Sequence, residues 1–205
     1  MNTLRRLLAG SLCALAIAAA ASTGSAANLL ANSDFETGLL PPWAGVGGLG
    51  PNATITIIAD NGPSAPGTHC AFLDNHQEAN GLTMAQTTGL GTADMGPVYF
   101  SYDLSLGTAA NGGVFFVEIF AQNAVGAVIG NAGLQGNYAP AGWTHFSGSF
   151  NAPAGTDHLT IQFEAPTGAV IGTVSSMKVD NVDLHQDMPV PTTNSTWGRV
   201  KSLYR

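Results

Sequence analysis

Charge is what this chain has least of. Only 9% of its 205 residues are charged, 13 acidic and six basic. The bases are also unevenly placed. From Asn28 to Met188 there is one, Lys178, against all 13 acids, a net of −12. From Pro189 to Arg205 there are three, Arg199, Lys201 and Arg205, and no acid, a net of +3. A body this acidic argues against nucleic acid as a partner, because phosphates need neutralising cations. It is compatible with neutral ligands and with divalent cations. Lys and Glu are scarce beside Gly, Thr, Ser, Asn and Ala, the reverse of what long amphipathic helices need.

Other absences narrow the function. No Gly-x-Ser-x-Gly elbow, Gly-rich phosphate loop or His-Glu-x-x-His pair occurs, so the common hydrolase, nucleotide and zinc-protease motifs are missing. The five histidines are scattered without metal-ligand spacing, which leaves no zinc or copper site. There is no internal repeat. The two cysteines are Cys13 and Cys70. Cys13 lies in the leader described next, so the remaining body has no partner for an intramolecular disulfide. Cys70, in the run Cys70-Ala-Phe-Leu73, reads as a small buried core residue.

Residues 1–27 read as a cleaved signal peptide. Arg5 and Arg6 form a basic start, Leu7 to Ala21 an apolar stretch, and Ser25-Ala26-Ala27 a small-residue cleavage site. The apolar run is shorter than the roughly 20 residues of a membrane span, so no transmembrane segment is expected. The predicted location is secreted or cell-surface. Residues 28–188 form one domain, and 189–205 are a linker with a basic, aromatic tail.

The body reads as all-β. Short alternating runs are separated by Gly, Pro and Asn. Predicted strands cover Thr54 to Ile58, His69 to Asp74, Gly81 to Thr87, Val114 to Gln122, Trp143 to Phe150 and His158 to Glu164. In the stretch from Val98 to Leu106, Val98, Phe100, Tyr102, Leu104 and Leu106 predict a buried face, and Tyr99, Ser101, Asp103 and Ser105 a wet one. Val114 to Gln122 is apolar on both faces and is expected to be central. About nine or ten short strands over this length have the cadence of a β-sandwich or jelly roll of two antiparallel sheets.

The closing run Ser175-Ser-Met-Lys-Val-Asp-Asn-Val-Asp-Leu-His185 breaks its alternation at Asp180-Asn181, which predicts a bulge. A carboxylate beside an Asn at a bulge is well placed for a cation. Its complement is Asn28-Leu-Leu-Ala-Asn-Ser-Asp-Phe-Glu-Thr-Gly38, an apolar strand ending in Asp34 and Glu36. The two ends are expected to be neighbours.

Three stretches, in order, resemble the galactose-binding-like jelly-roll carbohydrate-binding modules of the cellulose- and xylan-binding type. They are Asn28 to Gly38 with Trp43 following, Gly142-Trp-Thr-His-Phe-Ser-Gly-Ser-Phe-Asn-Ala-Pro153, and Val179-Asp-Asn-Val-Asp-Leu184. The resemblance spans nearly the whole body. It implies a structural calcium held by Glu36 and Asp180 with backbone carbonyls, since hard oxygen ligands suit calcium. The alternative is that both carboxylates only cap turns or bond amides. It also implies a polysaccharide or cell-surface glycan as partner, bound on a sheet face or in edge loops.

Sugar recognition needs an aromatic plane and polar groups for hydroxyls. The candidates are Tyr99, Asp103, Phe116, Glu118, His145 and Gln162 on the wet faces, and Trp43 in a loop. Trp43 and Trp143 read equally as packing residues at strand starts, and Glu118 and Gln162 as solvated strand residues. The expectation is a secreted, non-catalytic glycan-binding module. The alternatives are a surface or adhesion protein of the same fold, and a jelly-roll glycosidase using a carboxylate pair among Asp103, Glu118 and Glu164. In the tail, Trp197, Val200, Leu203 and Tyr204 fall near helical spacing between basic residues. The tail reads either as a disordered or folded-back end, or as a docking segment for export machinery or an envelope surface.

Overall fold

In this computed structural model the chain is described over residues 26–60, 67–136 and 142–186. The leader up to residue 25 and the whole 189–205 tail lie outside those residues. The described elements are strands throughout: β1 (Ala44–Gly47), β2 (Ala53–Ile58), β3 (Cys70–Asn75), β4 (Gly81–Thr87), β5 (Gly96–Ala110), β6 (Phe116–Gln122), β7 (Val128–Asn131), β8 (Gln135–Gly136), β9 (Gly142–Ala152), β10 (His158–Pro166) and β11 (Val174–Gln186). They form two antiparallel sheets. One runs β1-β4-β10-β6-β7, with β8 also pairing β6, and the other runs β2-β3-β11-β5-β9. This is the expected jelly-roll β-sandwich.

The alternation read from the sequence explains the packing. Leu159, Ile161 and Phe163 of β10 and Val117 and Ile119 of β6 are fully buried from one sheet. Val98, Tyr102 and Leu104 of β5 and Val179 and Leu184 of β11 meet them from the other. An aromatic cluster ties the layers together. Tyr102 of β5 meets Phe163 of β10 edge-on, with ring centroids 5.5 Å apart. Trp43 lies 5.9 Å from Phe163 and 5.5 Å from Phe35. Offset and edge-on pairs are favoured over face-to-face ones by the ring quadrupole. Truncating a ring so placed costs about 3–5 kcal/mol.

The predicted bulge is present in β11. Asp180 stands opposite Asp103 and Asp183 opposite Ser101, so three steps on β11 match two on β5. Asn181 takes up the extra residue at φ 48°, a left-handed conformation that Asn tolerates better than most residues. The two ends are neighbours, as expected. Leu29 N donates to Leu184 O at 2.8 Å and Val182 N to Ser33 O at 2.9 Å.

Several expectations are corrected. Residues 28–33 run beside β11 without forming a strand, because turns at Asn32 and Phe35, both at positive φ, break the extended backbone. Asn28 supplies side-chain bonds where a ladder would continue. Strand β1 begins directly after Trp43, which was expected in a loop, and β7 and β8 have no alternation to reveal them. Strand β6 is paired on both sides, as its two apolar faces require, but β10 holds the middle of its sheet. Asp103 was expected on a wet face and is fully buried. The bulge brings the Asn181 amide to one of its oxygens, and His145 covers the other.

Candidate functional site

On the outer face of the six-stranded sheet, the register sets Ala85 of β4, Gln162 of β10 and Glu118 of β6 in one row. The next row holds Glu164 opposite Phe116, and the row on the other side Thr160 opposite Phe120. Gln162 Nε2 donates to Glu118 Oε2 at 2.6 Å and also to Glu164 Oε1. Burial pushes the Glu164 carboxyl above its usual range, and the hydrogen bond and like charge of Glu118 push it further. The result is a polar row of two carboxyls joined by an amide, with half-buried Phe116 and Phe120 diagonally on either side.

The other face candidates are elsewhere. Tyr99 and Asp103 lie on β5 and His145 on β9, in the five-stranded sheet, so the wet-face candidates divide between opposite sides of the sandwich. The cause is the two-sheet topology. Each strand's wet face can be read from alternation, but which sheet the strand joins cannot. Around Tyr99 and His145 the structure adds two residues that the sequence reading had not named as binding candidates, Asp183 and His185 of β11. The signal was there, since both alternate with Val182 and Leu184 just past the predicted bulge.

Trp43 is not a ligand platform. It is only 2% exposed, it packs between Phe35 and Phe163, and its indole N–H donates to Asn32 O at 3.1 Å. Its packing role at a strand start is the one realised.

Glu36 accepts from Thr68 N at 2.6 Å, His69 N at 2.9 Å and Thr68 Oγ1 at 2.8 Å. These bonds, the Thr68 amide first, hold its carboxyl down at about 2. Asp180 is buried, stands opposite Asp103, and accepts from the Asn181 backbone N–H at 2.7 Å. Among the described residues no group of three or more His, Cys, Asp or Glu side chains is arranged around a metal position. Glu36 and Asp180 are hard oxygen donors of the kind calcium takes. Cys70 is buried and free, and burial pushes its thiol up to about 12.

No protein-family model matches the chain, and no curated protein matches it. Solved structures do match, and the class they define is the jelly-roll β-sandwich, with carbohydrate-binding modules predominating. A family 61 carbohydrate-binding module, solved with β-1,4-galactotriose, is similar at a TM-score of 0.54 and 15% identity, over 78% of this chain and 99% of that one. The enzymatically active domain of tailspike protein 4 of bacteriophage CBA120 is similar at a TM-score of 0.63 and 12% identity, over 77% of this chain. This chain spans only 21% of that tailspike's length. A Stig cyclase from Fischerella sp. TAU matches at a TM-score of 0.55 and 18% identity, over 78% and 97% of the two chains. At these identities the likeness is one of fold, and the fold hosts both binding modules and enzymes.

Proposed function

We propose that this chain is an exported, non-catalytic module that binds neutral polysaccharide on the outer face of its six-stranded sheet. The observation that carries the reading is the Glu118–Gln162–Glu164 row set between Phe116 and Phe120. Ring faces can stack on the C–H faces of a sugar, and the amide and carboxyls can bond its hydroxyls. The sugar-bound family 61 module makes a glycan the first ligand to try.

The same geometry speaks against the glycosidase alternative. Glu118 and Glu164 are bridged by the single Gln162 amide, which occupies the space that glycosidase carboxyls, about 5–9.5 Å apart, leave for the scissile bond. Asp103, the third carboxylate of that alternative, is buried in the other sheet.

A structural calcium at Glu36 and Asp180 belongs to the proposal, on the strength of the resemblance and the hard donors. So does export by a leader over residues 1–27, with the 189–205 tail contacting export machinery or the envelope. Deleting residues 192–205 should leave the domain's melting temperature unchanged and alter where the protein ends up.

The binding test is retention on native gels containing xylan or β-1,4-galactan. Gln162→Ala and Phe120→Ala should each lose retardation while keeping the wild-type melting curve. A wild-type protein that no neutral polysaccharide retards would move the assignment to a surface or adhesion protein of the same fold.

A further inference from the structure

The outer face of the five-stranded sheet carries a groove that the proposed glycan face does not use. Its volume is about 450 Å³, inside the ~300–1,000 Å³ range of small-molecule sites. Small hydroxyl residues make its floor, with Ser101 of β5 directly opposite Ser147 of β9. The register puts rings on both sides of that serine row. One step along, Tyr99 stacks on His185, with centroids 5.3 Å apart and planes 21° apart. One step the other way stands His145, with more than half of its side chain exposed.

Both imidazoles are held in place from behind. His145 Nδ1 is 2.7 Å from Asp103 Oδ1, and Asp103 Oδ2 accepts the Asn181 amide at 2.9 Å. His185 Nδ1 is 2.5 Å from Asp183 Oδ2. An ionised carboxylate only accepts, so each neutral ring carries its proton on Nδ1 and has Nε2 left as an acceptor. The groove therefore offers a tyrosine ring, serine hydroxyls and two oriented imidazole acceptors. Among the described residues no Lys or Arg lines it, so an anion would find no counter-charge there. The two carboxylates already hold imidazoles, which leaves little for a cation.

We propose that this groove is a second saccharide site, taking a neutral oligosaccharide whose ring stacks at Tyr99 and whose hydroxyls bond Ser101, Ser147 and the imidazoles. With the first face opposite, one domain would bridge two glycan chains. The bridging rests on the function proposed above, and the groove itself does not.

The test is calorimetric titration of the full exported chain with xylohexaose and β-1,4-galactotriose. Two sites per chain are expected. Tyr99→Ala and the groove-filling Ser147→Trp, at an exposed position, should each weaken one site about tenfold or more and spare the other. Gln162→Ala should do the converse, and all three melting curves should match the wild type. If Tyr99→Ala and Ser147→Trp leave the isotherms unchanged while Gln162→Ala abolishes binding, the groove is overturned and the first face stands. If only the groove variants matter, the groove stands and the first face falls. A wild-type chain that binds neither sugar overturns both.

Discussion

Asn28 and Val182 are 154 positions apart in the chain and in direct contact, with Asn28 Nδ2 donating to the Val182 carbonyl at 2.8 Å. The same side chain's Oδ1 accepts from Leu184 N at 3.1 Å and Leu30 N at 3.0 Å. One side chain thus satisfies backbone groups of the closing strand where a neighbouring strand would otherwise do so. Asn28→Ala leaves those groups without their partners, at a cost of about 1–3 kcal/mol. For a domain this size that is a fall of several degrees in melting temperature. Calorimetry of the purified domain checks it, and an unchanged melting curve would mean that water replaces the amide at no cost.

The Asp103–His145 pair is lopsided, and mutation should expose this. Asp103 is fully buried, while His145 is largely exposed. Asp103→Ala strips both His145 and the bulge amide of Asn181 of their acceptor, and should cost about 2–4 kcal/mol, in the range for breaking a buried charged contact. His145→Ala removes only the exposed partner and should cost under about 1 kcal/mol. Urea denaturation of the two variants provides the comparison. Equal losses would mean that the imidazole, not the bulge, is what Asp103 supports.

These two contacts also mark how far the sequence could be read. The break at Asp180-Asn181 gave the bulge its position, because period two fails visibly there. The ends of the chain could be matched because both are apolar runs ending in carboxylates. The burial of Asp103 could not be read, since alternation puts it with Tyr99 and Ser101. It stays on that outer face, and the bulge on a strand 78 positions away and His145 bring the polar groups that bury it there. The ligand faces failed for a related reason. Tyr99, Glu118, His145 and Gln162 each face outward as their strands require, but the pairing of β6 with β10 and of β5 with β9 is non-local. Period alone does not say which of two sheets a strand joins.

Glu36 should leave a signature in acid. Its carboxyl is held at about 2 against a usual 4.5, chiefly by the Thr68 and His69 amides. A carboxyl depressed on folding contributes stability above its unfolded value and loses it as the pH falls toward the folded one. Wild type should therefore lose its advantage over Glu36→Gln between about pH 4.5 and pH 2. If calcium also binds there, adding it at pH 7 should raise the wild-type melting temperature, by about 2.7 kcal/mol of stabilisation at 100 times its Kd. A chelator should reverse that gain, and Asp180→Ala should abolish it. Identical melts with and without chelator remove the calcium clamp and leave Glu36 as the acceptor of the Thr68 and His69 amides.

Glu164 runs with the opposite sign. Its carboxyl is raised, by burial first and then by the bond and charge of Glu118. A carboxyl raised on folding binds its proton more tightly in the native state. Its contribution is therefore favourable at low pH and is lost as the pH rises from the usual 4.5 through the raised value. Once the pH passes the raised value, the Glu164 carboxylate stands beside the carboxyl of Glu118. Glu164→Gln keeps a group of similar shape and removes one charge. It should therefore raise the urea midpoint at pH 8 and change it less at pH 4, below the raised Glu164 value. An equal shift at both values, or a loss at pH 8, would show that the pair is not under like-charge strain. A gain restricted to high pH would mean that the polar row between Phe116 and Phe120 is kept at the expense of stability, as groups held for a ligand commonly are.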